Sequence, residues 1–164
     1  MTAEEKAAHS ALLLLNVAAS WVSHHLVPKV LAQRLEGARQ EVAAGHPWVG
    51  RFRVDTETGR VAFDTPALPR GDEIPALARA VAAWLRAFFQ RVERAVPGRY
   101  DLERLSVLTG AHRRELAEQG FAAALGWRMD AEAFADPVSA PDVYPGSPKA
   151  PLEPSTPTAS EEAL

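Results

Sequence analysis

The longest regular alternation of apolar and polar positions runs from Ile74 to Val96. Ile74, Leu77, Ala78, Val81, Trp84, Leu85, Phe88, Phe89, Val92, Ala95 and Val96 recur at spacings of three and four, and Arg79, Arg86, Gln90, Glu93 and Arg94 fall opposite them. This spacing predicts an amphipathic helix with its apolar stripe turned to a core. The stripe carries three of the ten Trp and Phe residues. Burying a side chain of that size is worth roughly 1.5–3 kcal/mol, so this segment is expected to form the floor of the core.

Upstream, Thr2 followed by Glu4 and Glu5 predicts a helix start, with a hydroxyl cap and acids over the first turn. From Ala11 to Val22 the chain is apolar nearly all round, with Asn16, Ser20 and Ser23 marking a narrow polar edge. A helix of that kind is enclosed by neighbours or paired with another chain. Pro28 removes a backbone donor and biases Val27 away from helical angles, so a kink or break is expected at 26–28. Beyond it the apolar stripe shifts to Val27, Val30, Leu31, Leu35, Ala38 and Val42, with Gly45 as the stop after Ala44. The change of face implies that the two halves pack on different neighbours.

Period-two alternation then replaces the helical period. Trp48 to Val54 and Arg60 to Thr65 read as the strands of a β-hairpin, joined through Asp55-Thr56-Glu57-Thr58-Gly59, with Gly59 suited to a left-handed position. A lone hairpin is marginal in water and must lie on the helices, and an exposed edge would offer a docking surface. Asp72 is expected to cap the central helix with Pro75 in its first turn, and Asp101 to cap the next. The last helical pieces are predicted over Asp101 to Gln119 and Phe121 to Phe134, with Trp127 and Met129 buried. Seven of the thirteen prolines lie after Asp136, and Pro145, Pro148, Pro151, Pro154 and Pro157 recur every third residue. That is the repeat of a polyproline II helix, set in a segment too polar to offset its ordering entropy.

Composition narrows the function classes. With no cysteine there is no disulfide, thiolate metal site or thiol nucleophile, and a reducing, cytoplasmic setting is expected. The net charge is −3, of which the segment from Asp136 onward supplies −4, from five acids against Lys149. The helical part is therefore near +1, a balance unlike that of a protein built to neutralise many phosphates. The apolar segment Ala11 to Val22 is too short and too interrupted, by Asn16 and Ser20, to span a bilayer, and its flank Glu4-Glu5-Lys6 lacks the positive charge of a secretory signal.

Four constellations bear on chemistry. Ser23-His24-His25-Leu26-Val27-Pro28 resembles the phosphoacceptor box of bacterial histidine kinases and phosphotransferases, which implies His24 as phosphoacceptor. It departs from that box in having His25 at the acidic position and its proline four residues after His24. Ser106, Gly110 and Leu116 have a spacing that resembles a helix-turn-helix, which would place His112, Arg113 and Arg114 on the helix entering a DNA groove. The same residues also fit one unbroken helix, with Leu102, Leu105, Leu108, His112 and Leu116 on one side. No two of His9, His24, His25, His46 and His112 stand three or four residues apart with a carboxylate partner, as a zinc or di-iron site would need, so no metal or cofactor is expected. The proline ladder, finally, can dock on an aromatic-lined groove of a partner.

Together these features predict a mainly α fold with a minor β element: four to five helices and one hairpin at 48–65, within a domain at 1–135, followed by a disordered proline-rich tail at 136–164. The expected function is that of a non-enzymatic bacterial regulatory or adaptor protein working through protein–protein contacts. Leu13, Val17 and Trp21 are the candidate self-association residues, and the five-proline edge is a second partner-binding element. DNA binding and histidine phosphotransfer are the alternatives.

Overall fold

A computed structural model describes residues 1–64 and 68–127 of the chain. Met129, the rest of the helix expected to reach Phe134, and the prolines from 137 to 157 lie outside the described residues. The chain is mainly helical with one antiparallel hairpin, in the order α1 (Ala3–Val22), α2 (Pro28–Val42), β1 (Phe52–Val54), β2 (Val61–Phe63), α3 (Ile74–Ala95), α4 (Leu102–Leu108), α5 (Arg113–Glu118) and α6 (Phe121–Ala124). Short 3₁₀ turns at Pro47–Arg51, Gly71–Glu73 and Gly110–His112 link them.

α3 is the element on which the others rest. α2 lies along it most extensively, and α1, α6 and the Pro47–Arg51 turn cover further sides. Trp84, Leu85, Phe88 and Val92 are fully buried, as expected. Coverage from several directions also buries Ala80, Ala82 and Ala87, which the one-sided stripe did not include, while Ala95, at the helix end, is exposed. The indole N–H of Trp84 donates to the Leu35 carbonyl of α2 at 2.9 Å, so the largest core side chain leaves no unpaired donor. Its ring meets Phe52 edge-on at 5.6 Å, and Phe52 stacks on Phe63 at 4.5 Å. This aromatic column ties the hairpin to α3.

At the start of α1, the Thr2 hydroxyl accepts from Glu5 N–H while the Glu5 carboxylate accepts from Thr2 N–H. That reciprocal arrangement satisfies two donors that the first helical turn leaves unpaired. The chain breaks between α1 and α2, as Pro28 demands, but α1 already ends at Val22. Residues 23–27 form a turn held by His25 and Leu26 N–H groups donating to Val22, and Val27 is largely exposed. Pro28 does not kink a helix; it starts one, at a position where its missing N–H would have had no partner. α1 and α2 share α3 as a neighbour, yet α1 also meets β2 whereas α2 also meets β1 and the Pro47–Arg51 turn.

The hairpin pairs Phe52 with Phe63, Arg53 with Ala62 and Val54 with Val61. Gly59 closes its turn at φ +78°, the left-handed position expected for it. The strands are shorter than the alternation predicted. Pro47 opens a 3₁₀ turn, and Trp48 and Val49, adjacent in sequence, are both buried, an arrangement that a strand covered on one face does not allow. Arg51 lies over the Trp48 ring at 4.2 Å.

Three further expectations are corrected. Asp72 does not cap α3: it sits in the preceding 3₁₀ turn beside Arg70 at 3.5 Å, and Glu73 precedes the helix. α2 ends at Val42 rather than Ala44. The terminal helix α6 stops at Ala124, with Gly126 in the left-handed region at φ +78° and Trp127 half-buried, its indole N–H donating to the Leu102 carbonyl at 3.0 Å. Asp101 caps α4 as predicted, accepting from Arg104 N–H at 2.8 Å.

Candidate functional site

At 100° per residue, the buried side of α1 comprises Ala7, Ala11, Leu14, Leu15, Ala18 and Val22. Its outer side is apolar too, but incompletely covered. Leu12, Leu13, Val17 and Trp21 are half-buried there. With Asn16, Val61, Ala62 and Leu108 they line an open groove of about 720 Å³, whose remaining lining is His9, Ser20, His24 and Arg60. The hairpin supplies Arg60, Val61 and Ala62, and the end of α4 supplies Leu108, a leucine left 51% exposed. Among the described residues, no carboxylate lines this groove.

Asn16 fixes the hairpin wall. Its amide nitrogen donates to the Val61 carbonyl at 3.0 Å, and its amide oxygen accepts from Val61 N–H at 2.9 Å. Arg53 and Ala62 face each other across the ladder, so the polar groups of Val61 point away from β1. One side chain therefore meets both, as a neighbouring strand would. Asn16 is not merely a polar edge on an apolar helix: it closes part of a sheet edge that would otherwise invite another chain.

Trp21 anchors the far end. It meets Tyr100 edge-on at 4.7 Å and Phe89 at 5.9 Å. Tyr100 is buried, and that burial raises its phenol above the ordinary range, with Arg99 pulling the other way. Its hydroxyl is hydrogen-bonded to His25 Nδ1. Trp21 thus serves the fold with part of its ring and faces the groove with the rest.

The structure gathers the sequence-predicted residues unevenly. Leu13, Val17 and Trp21 share the groove, and His24 joins them. His24, however, sits in the turn after α1, without the helical setting that the phosphoacceptor resemblance implies. Residues 102–118 form two short helices divided at Thr109–His112, not one. Leu108 and His112 are exposed, although Leu105 and Leu116 are buried. α5, the counterpart of a DNA-reading helix, has six residues. Arg113 donates to the Ser106 carbonyl at 3.1 Å, and His112 and Arg114 line a second cavity of about 730 Å³ together with Lys6, Glu115 and Glu118. Pro145, Pro148, Pro151, Pro154 and Pro157 lie outside the described residues. No group of three His, Asp or Glu among the described residues is placed to hold a metal ion, and no described helix is long and apolar enough to cross a membrane.

The sequence could not reveal Arg60, Ala62 and Leu108 as partners of Leu13, because they come from two segments that meet α1 only in the fold. Asn16 carried the one readable signal, as an isolated amide within an apolar run. No family model, curated protein or solved structure matches the chain.

Proposed function

We propose that this chain is a non-enzymatic adaptor or regulatory protein that docks a protein partner in the groove along α1. The observation that carries the reading is the half-buried apolar floor of Leu12, Leu13, Val17 and Trp21 beside the exposed Leu108. Apolar surface of this kind, bordered by polar groups, marks interaction sites on proteins otherwise closed over their cores. Leu12, Val17 and Trp21 pack against the edge of the core with part of their surface, and what they leave uncovered, with Leu13 and Leu108, is the apolar surface that packing within the chain does not use. The absence of cysteine fits work in a reducing cytoplasm.

Val17→Arg tests the proposal. It places a charge in the centre of the floor, at a half-buried position on the margin of the core. Full-length wild type and Val17→Arg, matched for helical content and melting temperature, are each used as bait in extract of the native host. Proteins retained by the wild type are expected to be lost from the variant. Identical retention by both would remove the groove as the docking surface.

A further inference from the structure

Resting on that docking reading, we infer that the occupant is an amphipathic α-helix of a partner protein, apolar along one face and flanked by aspartate or glutamate. Three observations lead there. The groove follows α1 from His9 to Trp21, a run of about 18 Å at the helical rise, matching a little over three turns of a second helix. A strand is a poorer occupant, because main-chain bonds carry strand addition and Asn16 already holds both outward groups of Val61. A helix satisfies its own backbone and needs only side-chain contacts.

The charge of the lining selects the flanks. Arg60 supplies the formal charge of the lining, with the rings of His9 and His24 beside the same apolar floor, and no described carboxylate is among them. A second copy docked symmetrically would present the same patch to itself. Its Arg60 would then enter the interface with no carboxylate of the patch to pair with, at the desolvation penalty of an unmatched charge. An acid-flanked helix supplies the missing partners and lays its apolar residues at i, i+3, i+4 and i+7 over Leu13, Val17 and Leu108.

The test uses a displayed library of helical peptides of about sixteen residues, apolar at those positions and carrying either Glu or Lys at every flanking position. It is selected on the full chain, on Val17→Arg and on Arg60→Glu. Expected is enrichment of Glu-flanked members on the wild type, binding at least about tenfold tighter than their Lys-flanked counterparts. That enrichment should be lost on Val17→Arg and shift towards Lys on Arg60→Glu. Lys-rich or charge-indifferent enrichment that still disappears on Val17→Arg overturns the acidic helix and leaves the groove as a docking site. Enrichment equal on wild type and Val17→Arg, or none on either, removes both. Light scattering of the full chain separates the remaining occupant: a concentration-dependent dimer abolished by Val17→Arg makes it a second copy and overturns the inference, whereas a monomer at every concentration supports a helix from another protein.

Discussion

α1 and α3 are both rich in apolar residues, and their surroundings use that richness in opposite ways. Around α3 the apolar side chains are enclosed. Trp84 is fully buried with its N–H bonded to α2, and the lack of a side chain at Gly37 leaves room for the Arg91 guanidinium, which lies 3.0 Å from where a Cβ would stand. Arg91 then reaches Glu41 at 3.0 Å, so even the charged contacts bind α3 to α2. On α1 half of the apolar circumference meets the core, while the other half stops at a groove bordered by Arg60 and Leu108. Apolar sequence therefore marks burial only where a neighbour is available to complete it. Where the neighbour is a short hairpin, bonded to α1 through Asn16, part of the apolar side is left half-covered.

Perturbing each region should separate the two uses. The largest loss is expected for Trp84→Ala, which opens a cavity and unpairs the Leu35 contact. The core range of about 3–5 kcal/mol applies, read as a shift of the urea midpoint, and a loss below about 1 kcal/mol would show that α3 is not the sealed region. Asn16→Ala comes next. It leaves Val61 N–H and C=O without their partner, with an expected loss of about 1–3 kcal/mol. Amide exchange at Val61 should accelerate in that variant, and unchanged protection there would mean that Asn16 does not hold the hairpin. Leu108→Ser should alter stability by no more than about 0.5 kcal/mol, as for exposed positions generally, while weakening any helix bound in the groove. If it destabilises the chain like a core substitution, the groove belongs to the interior.

The smallest effect concerns the hairpin turn. Asp55 accepts from the N–H groups of Glu57 at 2.8 Å and Thr58 at 3.1 Å, and these bonds lower its carboxyl below the ordinary aspartate value. A carboxyl with a depressed folded pKa contributes stability at neutral pH and loses it as pH falls through that folded value. Asp55→Asn should therefore flatten the acid limb of the pH–stability profile below about pH 4, measured by thermal melts. An unchanged acid limb would show that the turn does not depend on the ionised carboxylate.

Much of this was legible along the chain. The periodicity of Ile74 to Val96 identified the central helix, and Thr2, Asp101 and Gly59 announced two caps and a turn through rules confined to a few residues. The misplaced boundaries have local physical causes. Pro47 drew Trp48 into a 3₁₀ turn where alternation predicted a strand, and the break at Thr109 divided a segment whose apolar spacing also fitted one unbroken helix. Of the groove, Leu13, Val17 and Trp21 could be named because an apolar excess is visible in one dimension.

Sequence alone determined the helical class, the position of the hairpin and the surplus of apolar surface on α1, because propensity, period and capping act over distances of a few residues. Only the tertiary structure decided which side of α1 meets α3 and that Asn16 fastens Val61. It alone brought Arg60 and Leu108 to the border of one groove with the outer side of α1. Those contacts join segments tens of residues apart, and their formation depends on how helices pack around Trp84, a condition that no short stretch of the chain encodes.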